Sequence, residues 1–354
     1  MSIPRGCLLT EAAQRKILRM TFDKEAAMFN RSALFIMVVR ALLTSTLSKP
    51  SHAQDANWPQ RPIRMLVGVP AGYAPDIASR ELAEQLGKEL GQPLFVENRP
   101  GGGAALMMRA LTTSSPDGST IASVFWNQMS VAPSLFNNLG YDPVEDVAHI
   151  GIWMSGPQLL VTHPDSGVRS VGQLIEKARA AQPPLQYASF GVSSPSHIFT
   201  QLLLEKANIN MEHVPFSGPK VMQAIINREV PLAMGGVSDM LPIVRAGKLV
   251  ALAVTGDRRL ATLPDVPTMA DAGVPGLNHK VWFGLIAPKG TPSAIIDRLH
   301  RALQAAAANP EFRARMEQAG RIVSVGTPDA MRETIRSEIP LWAGVVKRAG
   351  ITAQ

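Results

Sequence analysis

The chain has 354 residues, 46% of them hydrophobic, with 28 glycines, 28 prolines and few aromatics. That is enough apolar material for two domains of ordinary size, in a composition suited to an α/β protein full of turns. The net charge of +7 does not point to nucleic acid: residues 1–53 hold eight Lys/Arg against three acids, and the rest, with 27 against 25, is close to neutral.

In chain order, the first feature reads as an export signal. Arg31 precedes the apolar run Ala33 to Val39, which Ala41-Leu42-Leu43 extends past Arg40; Ser51-His52-Ala53 is a small-x-small cleavage pattern before Gln54. The run is too short and too interrupted to cross a bilayer as a helix. Residues 1–53 are therefore expected to be a signal peptide with an N-terminal extension, removed on export to the periplasm. Met28 is an alternative start, because residues 1–27 add nothing a signal needs. The single cysteine, Cys7, lies ahead of the cut. A mature chain without cysteine has no disulfide, no thiolate metal ligand and no thiol nucleophile.

From Ile63 onward strand-like and helix-like runs alternate. Residues 63–69 are β-branched and apolar, and a turn runs from Pro70 to Pro75. Asp76 then caps a helix whose apolar positions, Ala78, Leu82, Leu86 and Leu90, recur every fourth residue. A strand at 94–96, a turn at 98–103, a helix at 104–112 and a strand at 121–125 continue the pattern. A second unit follows the apolar run 159–163, with helices at 171–181, 196–207 and 220–227 and strands at 185–188, 212–214 and 249–254. Residues 282–287 read as a strand returning to the first unit, which helices at 292–308, 310–319 and 328–349 complete. The expected fold is α/β with two lobes, 54–160 with 284–354 and 161–283. Each is built on a mainly parallel sheet, two crossing strands join them, and a ligand cleft lies between.

Three loops share one grammar of strand, short turn and helix start: Val69 to Asp76, Ala188 to His197, and Val214 to Pro219. In open parallel sheets such loops lie at the carboxyl ends of the strands, where ligands bind. Two facing lobes would aim helix N-termini into one cleft. Their free N–H groups and dipoles hold a carboxylate without Arg or Lys. The second loop is the richest. Ser194 suits the N-cap and Pro195 the first helical position, so Ser193, Ser194 and His197 would face outward at one spot. A helix end is worth about 0.3–1 kcal/mol and a hydrogen bond to a charged acceptor about 1.5–3 kcal/mol. Two such loops with apolar contact reach the ~8 kcal/mol of micromolar binding. Taken singly, each loop reads equally as a plain turn, Asp76 as a simple cap and His197 as a capping or buried histidine.

Other motifs fail. Gly101 to Leu106 lacks the third glycine of a dinucleotide fingerprint, no Gly-Lys-Ser/Thr phosphate loop is present, and no paired-His spacing suggests a metal. Gly191-Val192-Ser193-Ser194-Pro195 approaches the hydrolase elbow G-x-S-x-G, but Pro195 stands where the last glycine belongs. Trp126, Trp153, Trp282 and Trp342 read as core.

The chain also resembles a known family. From about Trp58 onward it is similar to the periplasmic substrate-binding receptors of the tripartite tricarboxylate transporter system, the Bordetella uptake gene type. The resemblance rests on Trp58-Pro59-Gln60-Arg61-Pro62, Val96-Glu97-Asn98-Arg99-Pro100-Gly101, Pro116-Asp117-Gly118, Val214-Pro215-Phe216, Pro264-Asp265-Val266-Pro267-Thr268 and Trp282 to Pro288, in that order. It implies a type II-like periplasmic binding fold that closes on a small carboxylate, held largely by backbone N–H groups and waters. Carried over by position, the ligand-binding set is Ala71, Gly72, Tyr73 and Asp76 in the first loop. In the second it is Ser189, Gly191, Ser194 and His197, and in the third Phe216 and Gly218.

Four positions depart from the family pattern. Tyr73-Ala74 follow Gly72 where a further glycine is usual. Ser193 replaces the usual second glycine of its loop, which adds its hydroxyl to the ligand-binding set. Phe216 stands for Tyr, and Pro231 for Asp. Tyr73 and Phe216 point to a less polar carboxylate, aromatic acids included, rather than a tricarboxylate. The expected protein is a non-catalytic, monomeric receptor with no cofactor and no metal, delivering its ligand to integral-membrane permease subunits. The alternatives are a secreted serine hydrolase using Ser193 or Ser194 with His197, for which no orienting acid is evident, and a ligand-sensing partner of a signalling system.

Overall fold

The computed structural model describes residues 58–352 apart from 137, 217 and 219. The expected export signal and Cys7 lie outside the described residues. In chain order the elements are β1 (Ile63–Val67), α1 (Ala74–Leu90), β2 (Leu94–Asn98), α2 (Ala105–Thr112), β3 (Thr120–Phe125), α3 (Ala132–Leu135), β4 (Val147–Gly156), β5 (Gln158–Thr162), α4 (Val171–Ala180), β6 (Gln186–Ser189), α5 (Pro195–Ala207), β7 (Glu212–Pro215), α6 (Lys220–Ile226), β8 (Leu232–Gly236), α7 (Val237–Arg245), β9 (Val250–Val254), β10 (Val281–Pro288), α8 (Ser293–Ala308), α9 (Pro310–Gln318), β11 (Ile322–Val323) and α10 (Pro328–Arg348).

Two sheets result, ordered β11-β4-β10-β3-β1-β2 and β7-β6-β8-β5-β9. They are mixed rather than mainly parallel. β1 runs parallel to β2 and β3, but β10 lies antiparallel between β3 and β4. β6 runs parallel to β7 and β8, but β5 lies antiparallel between β8 and β9. The reason is the crossing. β4 ends at Gly156 in the first sheet and β5 begins at Gln158 in the second, with Pro157 alone between them; β10 makes the return. Each lobe thus receives one antiparallel strand from the other. Five strands in each sheet follow the same order, which makes the loop after β1 and the loop after β6 topological equivalents.

The helices bury the stripes the sequence marks. Ala78, Leu82, Leu86 and Leu90 of α1 are all buried, and Gly91 ends the helix in the left-handed conformation a C-terminal glycine supplies. The start differs from expectation. α1 begins at Ala74 with Tyr73 as N-cap, so Asp76 is in its first turn rather than at its cap. One apolar core includes Leu66 and Val124 of the first sheet together with Leu160 and Met234 of the second. Trp126 stacks on Phe199 of α5 at 5.2 Å between ring centroids and meets Trp342 of α10 edge-on at 4.8 Å. All four tryptophans read as core are buried.

Candidate functional site

Loops at the carboxyl ends of the parallel strands in both sheets line one cavity of about 760 Å³. From the first sheet come the loops after β1, β2 and β3. From the second come Ser194 to Ser196 after β6, Gly218 after β7 and Gly236 to Asp239 after β8. The wall is otherwise largely apolar, with Phe125, Met154, Phe190, Met222, Val281 and Phe283.

The first loop is tied down from below. Gly72 takes φ +83°, a left-handed value that suits glycine. Its N–H donates to Asp76 Oδ2 at 2.9 Å, and Arg80 Nε donates to the same oxygen at 3.0 Å. Asn98 Nδ2 donates to Asp76 Oδ1 at 2.8 Å and to Val69 O at 2.9 Å. Burial alone would raise the Asp76 carboxyl. The hydrogen bonds from Arg80, Asn98 and Gly72 outweigh it and hold the group below the usual carboxylate range. Asp76 therefore shapes the loop from inside, while Gly72 and Tyr73 line the cavity. Tyr73 takes an ordinary extended backbone (φ −73°, ψ 152°), so it follows Gly72 without strain. No side chain caps α1, which leaves its first turn open toward the cavity.

The second loop follows the sequence at its cap. Ser194 is the N-cap of α5, its Oγ accepting from His197 N at 3.4 Å, and Pro195 holds the first helical position. Ser194 Oγ also donates to Gly191 O at 2.7 Å, and Ser196 Oγ accepts from Phe190 N at 3.0 Å. His197 departs from expectation. Its ring turns inward, 5% exposed, and stacks on His213 at 3.7 Å between centroids with 12° between planes. Its Nδ1 accepts from Ser193 N at 3.2 Å. Burial, then the neighbouring His213, push His197 down to about 4, so the ring is neutral at neutral pH. Ser189 is fully buried, with Oγ 2.6 Å from His213 Nε2.

Ser194 and Gly218 thus join Gly72 and Tyr73 in the lining. Ala71, Asp76, Ser189, Gly191, Ser193, His197 and Phe216 stand outside it. Phe216 donates its N–H to Ser189 O at 2.9 Å and packs half-buried on the core of the second sheet. Pro231, the fourth departure, offers its carbonyl to Thr162 Oγ1 at 2.7 Å and is likewise outside the lining. Among the described residues, no serine hydroxyl in the cavity wall meets an imidazole nitrogen: the partners of Ser194 Oγ are Gly191 O, Ser196 Oγ and His197 N.

Sequence reasoning missed two segments. α7 starts directly after β8 with Gly236 as N-cap and no capping side chain, and Gly236 to Asp239 line the cavity. Gly320 and Arg321, just ahead of β11, line it from the other sheet. The two sides touch. A Cβ on Gly320 would collide with Val237, and one on Gly218 would lie 2.7 Å from Tyr73 Oη.

Comparison with known proteins places this geometry. The profile described as "Tripartite tricarboxylate transporter family receptor" matches residues 78–351. Protein BugT of Bordetella pertussis is 32% identical over 91% of this chain and 98% of its own length. The structure of the periplasmic binding protein BugD superposes with a TM-score of 0.74 at 32% identity, covering 84% of this chain and all of that one. A Rhodopseudomonas palustris protein solved with adipate superposes with a TM-score of 0.76 at 28% identity, covering 83% of this chain and 99% of that one.

Proposed function

The chain belongs to the tripartite tricarboxylate transporter receptor family, a family of periplasmic solute receptors, and we propose that it clamps a small carboxylate between its lobes at the helix starts of Tyr73 and Ser194. One observation carries this reading: the first turn of α1, which no side chain caps, opens on the same cavity as the Ser194-capped start of α5. Uncapped N–H groups and the positive helix ends favour an anion there. The backbone reads the carboxylate, and the phenylalanine and methionine wall takes an apolar body. Adipate, the ligand of the R. palustris relative, has both parts.

The proposed lobes, 54–160 with 284–354 and 161–283, part within the two crossing strands. Ligand favours the closed arrangement by its differential affinity for it, and the contacts of Tyr73 with Gly218 and of Gly320 with Val237 are the closing surfaces. Residues 1–53 direct export, and the loaded monomer passes its ligand to permease subunits.

A thermal-shift panel of mono-, di-, tri- and aromatic carboxylates tests the reading. A true ligand at about 100 times its Kd adds ~2.7 kcal/mol of stability by mass action. An apolar or aromatic acid is expected to raise the melting temperature most. No shift with any carboxylate overturns the clamp, and citrate binding far tighter than aromatic acids overturns the ligand class.

A further inference from the structure

Two charged side chains line the cavity among the described residues, Asp239 and Arg321, and they come from opposite sheets. Asp239 is the third residue of α7. Arg321 directly precedes β11 and follows Gly320, whose backbone packs on Val237, so the two segments that carry the pair lie against each other across the cleft. Neither charge has an ion-pair partner within 4.0 Å among the described residues. Among the described residues, the one hydrogen bond of the Arg321 side chain goes to Met316 Sδ at 3.6 Å, and Arg321 makes no ion pair within 4.0 Å. No hydrogen bond reaches the Asp239 carboxylate from the described residues. Each still feels the other: burial raises the Asp239 carboxyl and Arg321 opposes that, while burial lowers Arg321 and Glu81 and Asp239 oppose it. Glu81 Oε2 is itself buried without a hydrogen-bond partner among the described residues.

We propose that Arg321 and Asp239 form a second, polar end of the ligand cleft that takes a neutral group able both to accept and to donate hydrogen bonds, a hydroxyl or a carboxamide. The charge count selects this class. The two charges that line the cavity, Asp239 and Arg321, cancel, so a second anionic group would meet Asp239 as well as Arg321. An ammonium would meet Arg321. A carboxamide oxygen accepts from the guanidinium while its NH₂ donates to Asp239, and a hydroxyl does the same with one atom. Buried donors and acceptors left unmade are costly, so a ligand that fills both is favoured over one that fills neither. The inference rests on the clamp reading: the carboxylate goes to the helix starts and the neutral group to this end.

Titration calorimetry on the mature chain tests it with two matched sets, one built on benzoate and one on phenylacetate. Each set has the bare acid, its ring-hydroxyl and ring-carboxamide derivatives at the 3- and 4-positions, and its second-carboxylate derivative. A hydroxyl or carboxamide member is expected to bind about 10–100-fold tighter than the bare acid, and the second-carboxylate member no tighter than the bare acid. Arg321→Gln and Asp239→Asn are each expected to abolish that advantage, and melting transitions as cooperative as the wild type's show the variants folded. A second-carboxylate member that binds tightest, or an advantage that survives both substitutions, overturns the distal end and leaves the clamp standing. Failure of every acid here and of every carboxylate in the thermal panel to bind overturns the clamp, and this inference with it.

Discussion

Ser193 sits at φ 61°, in the left-handed region that a non-glycine residue enters at a cost. Its Oγ is spent on Val192 O at 2.6 Å, so the hydroxyl faces its own backbone. Ser193→Gly is expected to stabilise the protein by about 0.5–1 kcal/mol, relief of strain set against the added freedom of the unfolded chain, and to leave carboxylate affinity unchanged. Urea unfolding with calorimetry checks both. Beside it, His197 titrates with a sign that follows from its environment. Its folded pKa of about 4 lies below the ordinary 6.5. Its contribution to stability is therefore complete above about pH 6.5 and is lost as pH falls toward 4. Half-buried Glu338 and Asp239 have raised pKa values and run the other way, so the useful measure is a difference. The fall in melting temperature between pH 7.5 and 5 is expected to be smaller in His197→Gln than in the wild type, and an equal fall contradicts this assignment. Ser194 and Pro195 were legible in the sequence because cap and first-turn chemistry are local. The inward turn of His197 was not, because it depends on His213 of β7, a non-local partner.

At the scale of elements, the helix starts carry the account. The start of α5 was legible from strand, turn and helix order, and that of α1 to within one turn. The start of α7 was not: β8 reads Leu232-Ala233-Met234-Gly235-Gly236, with no β-branched residue, and passes into the helix with no loop and no Ser, Thr, Asp or Asn cap. β4 was missed in the same way, its run interrupted by Gly151 and its pairing shifted by irregularities. Asp76 was placed one turn too early for the same kind of reason, since its carboxylate reaches back to Gly72 N rather than capping α1 from the N-cap position. Ser194→Ala removes the side-chain cap of α5 and is expected to cost about 1 kcal/mol of stability. Asp76→Asn removes the charge that gathers Gly72, Arg80 and Asn98, and is expected to cost about 2 kcal/mol and to weaken carboxylate binding by loosening the loop. A variant that keeps wild-type affinity would place the first loop outside the clamp.

For the whole molecule, α/β alternation and two crossings were readable from the order of runs. The mixed sheets were not, because a crossing strand reveals its direction only through its partner in the other sheet. The lobes are joined by more than those strands. The described residues fall within one compact unit, and Phe199 of α5 stacks against Trp126 in a core that both sheets share. Phe199→Ala is expected to cost about 3–5 kcal/mol and to lower a single calorimetric transition; two separated transitions in the wild type would contradict a shared core. The central claim is that helix N-termini hold a carboxylate in the cleft. The most direct test is titration calorimetry of the tightest-binding acid from the panel against its methyl ester, which keeps the apolar body and removes the charge. The acid is expected to bind in the micromolar range and the ester about 100-fold more weakly; equal affinities would show that the cleft reads the body alone and that the clamp does not exist.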